Sequence, residues 1–166
     1  MNTRDERILQ RAREVWREPF TGFTIYDLLH AKGSPLDALL YAKLFWPAFR
    51  QIAGMTFLPF AIEDEADEKR IHAALDEYGD RTRVEEEFNR VEVASLFGRR
   101  RGETTASDDD LLAEYLVATW AAKLRLDYPA KQFRLQITTG IDGTDVEVTM
   151  YEQRPTDSIG GENRDC

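Results

Sequence analysis

Strict alternation over residues 133–150 constrains this chain more than any other feature. Phe133, Leu135 and Ile137 alternate with Gln132, Arg134 and Gln136, and Val146, Val148 and Met150 alternate with Glu147 and Thr149, with Glu152 just beyond. Side chains on a strand point to opposite faces, so a period of two predicts strands with one dry face and one wet face. Gly140 to Thr144 separates the two runs as a turn, which makes them an antiparallel hairpin. A hairpin with one apolar face needs a cover, and helices over one face of an antiparallel sheet supply it.

The clearest helix directly precedes the hairpin. Leu112, Leu116, Trp120 and Leu124 form one stripe, widened by Leu111 and Tyr115, with Ser107 and Asp110 expected as its cap and Pro129 beyond its end. Ile8, Leu9, Ala12, Val15 and Trp16 mark an earlier amphipathic helix that stops before Pro19. Thr24 with Asp27 opens a short helix ending near Gly33, and Ser34-Pro35-Leu36-Asp37 opens another that runs to about Trp46. Acid-rich residues 63–78 place Ile71, Ala74, Leu75 and Tyr78 at helical spacing, with Gly79 as a left-handed cap. Thr82 and Glu85 have capping-box spacing before Val84, Phe88, Val91 and Leu96, which predicts a helix closed by Gly98.

Residues 49–62 are rich in aromatic and branched side chains and too short for two helices. They read as a second hairpin around Ala53 and Gly54, with Pro59 at an edge or at the strand end. The expectation is an α+β fold: about six helices packed on one face of an antiparallel sheet built from two hairpins, near residues 49–62 and 132–153. The predicted core is Leu40, Leu44, Trp46, Phe57, Leu75, Phe88, Leu116, Trp120, Phe133, Leu135, Val146 and Val148. With 166 residues, of which 42% are hydrophobic, the chain suits one domain over residues 1–154. Residues 155–166 lack apolar periodicity and read as a disordered tail.

Charge is the second informative feature. The net charge of -9 is concentrated in residues 61–110, where 16 acidic side chains face 8 basic ones, whereas residues 1–60 hold 6 acidic and 8 basic. A phosphate-backbone binder is not expected from that balance. No run approaches a membrane span, and the opening residues carry charge where a signal peptide needs an apolar core, so a cytoplasmic protein is expected. The single cysteine, Cys166, fits a reducing compartment and offers neither a disulfide nor a thiolate zinc site.

Positive marks of catalysis are missing from the sequence. His30 and His72 stand 42 positions apart without metal-ligand spacing, no GxSxG elbow surrounds a serine, and neither phosphate-loop pattern occurs. Asp142-Gly143-Thr144-Asp145 holds too few oxygen ligands for a calcium loop. No catalytic residue, metal or cofactor is therefore expected. Arg99, Arg100 and Arg101 lie in a predicted exposed loop over residues 99–107, without interleaved aromatics.

These observations favour a non-enzymatic binding protein that captures a basic protein partner on an acidic helical face, as a small bacterial inhibitor or immunity protein of a secreted toxin would. Glu63, Asp64, Asp67, Glu68, Asp76, Glu77, Glu85 and Glu86 are the candidate contacts. Two alternatives stand beside it. One is an enzyme whose site assembles in space from residues such as Glu85, Glu86, Tyr115 and Asp127. The other is a structural or homo-oligomeric component that pairs through its first helix, with Trp16, or through the hairpin edge at Phe57.

Overall fold

The computed structural model describes residues 3–16, 22, 24–97, 105–139 and 145–154. The expectations for the 99–101 arginines, the 140–144 turn and the 155–166 tail lie outside them. Among the described residues six α-helices run in chain order: α1 (Thr3–Trp16), α2 (Ile25–Lys32), α3 (Pro35–Phe45), α4 (Glu65–Tyr78), α5 (Arg81–Phe88) and α6 (Ala106–Asp127). The strands are β1 (Arg50–Ile52), β2 (Met55–Phe57), β3 (Val91–Glu92), β4 (Phe133–Thr139) and β5 (Val146–Glu152). This is an α+β fold with two small antiparallel sheets, β1-β2 and β3-β5-β4.

Local side-chain chemistry sets most helix ends. At α2 the Thr24 hydroxyl accepts from Asp27 N while the Asp27 carboxylate accepts from Thr24 N, and at α3 Ser34 caps with Pro35 in the first turn. Gly79 closes α4 with φ of 63°, a conformation that a Cβ would oppose. Two starts differ from expectation. The α5 cap is Asp80, whose carboxylate accepts from Thr82 N and Arg83 N, so Glu85 is not needed at the helix start and turns inward. The α6 cap is Thr105, whose amide and hydroxyl both donate to Asp108, two residues ahead of the expected Ser107 and Asp110.

The β1-β2 turn is the expected Ala53-Gly54 pair. Both residues have positive φ, 51° and 79°, which matches the right-handed twist of the flanking strands at the cost of strain on the alanine. β2 ends at Phe57 and Pro59 opens a short 3₁₀ turn, Pro59–Ala61, where its missing NH leaves no partner wanting. The expected helix through Leu96 is shorter than its apolar pattern: α5 stops at Phe88, Val91 and Glu92 join β5 as a strand, and Val93–Phe97 forms a 3₁₀ helix. Branched Val91 and Val93 suit that extended and tight backbone better than a continued α-helix.

One core lies between α6 and the three-stranded sheet. Ala113, Leu116, Trp120 and Leu124 bury against Val146, Val148, Met150, Val91 and Val93. A second lies between the β1-β2 hairpin and α4-α5, from Met55, Phe57, Ile71 and Val84. A third, small cluster joins Leu9 and Ala12 of α1 to Leu28 of α2. Of the predicted core, Phe57, Leu116, Trp120, Val146 and Val148 are buried, whereas Leu44, Leu75, Phe88, Phe133 and Leu135 pack on the margins. Leu40 and Trp46 are corrections: α3 meets the first core through its last turn, at Leu44 and Phe45, which leaves Leu40 exposed one turn before Leu44 and Trp46 exposed at the helix end.

The two hairpins do not share a sheet through backbone bonds. Side chains of α5 bridge them instead. β2 pairs with β1 so that Thr56 N, Thr56 O and Leu58 N face away from β1, and on β5 the short β3 leaves Met150 O and Glu152 N without a strand partner. Asn89 Nδ2 donates to Thr56 O at 2.9 Å and to Met150 O at 3.1 Å, and its Oδ1 accepts from Leu58 N at 2.9 Å. Glu85 accepts from Thr56 N at 2.6 Å and from Glu152 N at 2.9 Å. One turn of α5 thus does what a missing strand would do, satisfying two sheet edges that are buried against each other.

Candidate functional site

Half of the eight acidic residues expected to form one binding face, Asp64, Asp67, Glu68 and Glu85, are engaged within the protein. Asp64 caps α4 by accepting from Ala66 N and Asp67 N. Asp67 accepts from Glu63 N and pairs with Arg70, and Glu68 pairs with Arg50. Glu63 itself is exposed.

Glu85 is a correction to the candidate face. It is fully buried, gripped by both terminal nitrogens of Arg154 at 2.7 and 3.0 Å, and closed to any partner. Arg154 also holds Glu152, which Lys131 contacts at 2.9 Å, so the four side chains form one alternating network. A spacing of four between Glu85 and Asn89, beside the apolar Val84 and Phe88, was the available sign that these polar groups face the interior. Asp76 and Glu77 are exposed and Glu86 is half-buried; with Glu65 they form no ion pair among the described residues.

The residues of the enzymatic alternative are not brought together. Tyr115 and Asp127 both lie on α6, twelve residues and therefore about 18 Å apart along its axis. Arg4 sits over the Tyr115 ring and Lys123 pairs with Asp127, whereas Glu85 is sealed between the sheets. His30 and His72 are exposed, on α2 and α4. Among the described residues no group of three or more His, Cys, Asp or Glu is placed to hold a metal ion, and no helix is long and apolar enough to cross a membrane.

α1 is fastened to α6 by ions. Arg4 and Arg7 contact Glu114 at 3.2 and 2.8 Å, and Arg11 contacts Asp108 at 2.7 Å. Between the helices runs a groove of about 340 Å³ lined mainly by Ile8, Ala12, Val15, Leu111, Leu112 and Tyr115. The hydrogen bond from Arg7, with Arg4 behind it, lowers the Glu114 pKa. Burial opposes charge on Asp108, but its bonds from Arg11 and Thr105 outweigh that and lower its pKa too. Asp109 goes the other way, raised by burial and then by the neighbouring carboxylates of Asp108, Asp110, Asp145 and Glu92.

The signs oppose each other in linkage. Glu114 and Asp108 contribute stability that is present above the unfolded carboxylate range and lost as pH falls through their lowered folded values. Asp109 costs stability at neutral pH, and that cost disappears as pH falls through its raised folded value. Urea unfolding of Asp109→Asn is therefore expected to give a higher midpoint than the parent at pH 7, with the gap closing in acid. Equal midpoints at pH 7 would contradict the assignment.

The most unusual surface belongs to α2 and α3. α3 has seven apolar side chains larger than alanine or equal to proline among its eleven residues, and none is buried. Leu36, Leu39 and Leu40 are 65, 68 and 60% exposed, and Leu29 and Tyr26 on α2 are exposed as well. Leu36, Leu39, Leu40 and Lys43 recur at the spacing of one helical stripe, on a side that packs on nothing among the described residues. Tyr41 meets Phe97 edge-on and Trp120 Nε1 donates to Leu44 O at 2.8 Å, which fixes the opposite side of α3 to the body. Comparison with protein-family models, curated proteins and solved structures gave no match.

Proposed function

We propose that the protein is a non-enzymatic binding module of the cytoplasm, and that α2 and α3 form the face by which it holds another protein. The carrying observation is the row Leu36, Leu39 and Leu40, each at least 60% exposed on a helix anchored by its other side. Single exposed leucines are ordinary, whereas a row of them on one helix is an interaction surface or an aggregation hazard. The work of an inhibitor or immunity-type protein fits this reading, since it requires a surface and no reacting group.

A second reading is supported by the unpaired acids. Glu65, Asp76, Glu77 and Glu86 have no ion-pair partner among the described residues, which suits the capture of a basic protein on α4 and α5. Lys69 and Arg70 on α4 dilute that charge, so the apolar face ranks first.

One experiment separates the two. A photo-crosslinking amino acid is placed at Leu39, at Asp76, or at Ala48 as an exposed control, in cells that produce the protein. A light-dependent adduct at Leu39 and not at Ala48 is expected. An adduct at Asp76 alone would move the binding face to α4, and no adduct at either would overturn the binding-module reading.

A further inference from the structure

We propose that the exposed face of α3 is covered by α3 of a second copy of this chain, the two helices running antiparallel about a two-fold axis beside Leu40. The inference rests on the reading of α2 and α3 as a binding face and names its occupant. Charge decides the occupant first. Each copy carries -9, so two copies repel through most of their surfaces. Residues 24–49 carry no net charge, with Asp27 and Asp37 balanced by Lys32 and Lys43. The neutral stretch is also the one with the exposed leucines, so attraction between apolar surfaces and the absence of repulsion coincide there.

Charge also sets the direction. A two-fold axis beside Leu40 brings residues equally far before and after it to one level, and Asp37 and Lys43 each lie three positions away. An antiparallel pair therefore sets Asp37 of each copy level with Lys43 of the other at both ends, whereas a parallel pair sets lysine beside lysine and aspartate beside aspartate. Leu40 then lies against its counterpart, with Leu36 of each copy level with Leu44 of the other and Leu39 level with Tyr41.

Sedimentation equilibrium of the full chain tests the pairing, over concentrations from about 1 to 100 µM, where a standard-size interface of moderate affinity is populated. A species of twice 19.2 kDa is expected. Leu40→Asp places an unpaired carboxylate at the axis and is expected to weaken association by about 100-fold or more, with an unchanged circular dichroism spectrum because Leu40 is 60% exposed in the single chain. Lys43→Asp is expected to weaken it by about 10-fold, and the swapped double variant Asp37→Lys/Lys43→Asp to recover it.

A parent that stays monomeric throughout, a dimer indifferent to Leu40→Asp, or a double variant no better than Lys43→Asp would each overturn the proposal. A monomeric parent with a Leu39 adduct of some other mass overturns the self-pairing and leaves the binding module standing; absence of adducts at both Leu39 and Asp76 removes both.

Discussion

Glu85→Ala is expected to lower the melting temperature by the order of 10 °C. The carboxylate is fully buried and accepts four hydrogen bonds, two from the amides of Thr56 and Glu152 and two from Arg154. Its removal leaves the buried Thr56 amide without an acceptor and takes one acceptor each from the half-buried Glu152 amide and Arg154 guanidinium. Breaking one partner out of a buried ion pair costs about 3–5 kcal/mol, and for a chain of this size about 1 kcal/mol moves the midpoint by 2–4 °C. Glu85→Gln keeps the shape but offers one oxygen where two are used, and turns an NH₂ toward donors, so it is expected to recover only part of the loss. Thermal unfolding followed by circular dichroism measures both; a shift of less than about 3 °C for the alanine variant would mean that the bridge contributes little.

Trp120→Ala is the second large effect, about 3–5 kcal/mol from the buried volume alone. Its consequences should not be uniform. The indole is fully buried in the first core, and its NH donates to the carbonyl of Leu44, the last-turn anchor of α3. Hydrogen exchange in α3 is therefore expected to rise more than in α4 or α5, whose core is separate. Trp120→Phe isolates the anchor: it keeps most of the apolar volume, loses the NH, and should cost about 1–2 kcal/mol while still loosening α3. Equal protection changes in α3 and α4 would remove the special role given to this contact.

Features written in local chemistry were legible in the sequence. Thr24 with Asp27, Ser34 before Pro35, and Gly79 each act on backbone within a few residues, so spacing alone identifies them. The alternation at residues 133–150 likewise decides which side chains share a face, and Val146, Val148 and Met150 are buried together. The wet face was only partly legible: Thr149, expected toward solvent, is buried, and its hydroxyl has no partner among the described residues.

The side of α3 that packs was not legible, because apolar residues surround that helix and no polar stripe marks an outer face. Nor was the role of Glu85. It stands in a run of three glutamates, and what separates it from Glu86 and Glu87 is its orientation toward strands 29 and 67 residues away. An excess of acid in a stretch of sequence therefore overstated the acid available on the surface, since caps and one buried network absorb much of it.

The α5 bridge also orders events during synthesis. Asn89 and Glu85 bind one sheet edge made earlier in the chain and another made later, and the guanidinium that neutralises Glu85 is residue 154. At ribosomal rates of 5–20 residues per second, the 65 residues between Asn89 and Arg154 take roughly 3–13 s to emerge. Throughout that interval Glu85 lacks the base that neutralises it, and the β2 edge has no β5 to pack against. Until its last strand arrives, the emerging chain therefore cannot close the seam between its two sheets.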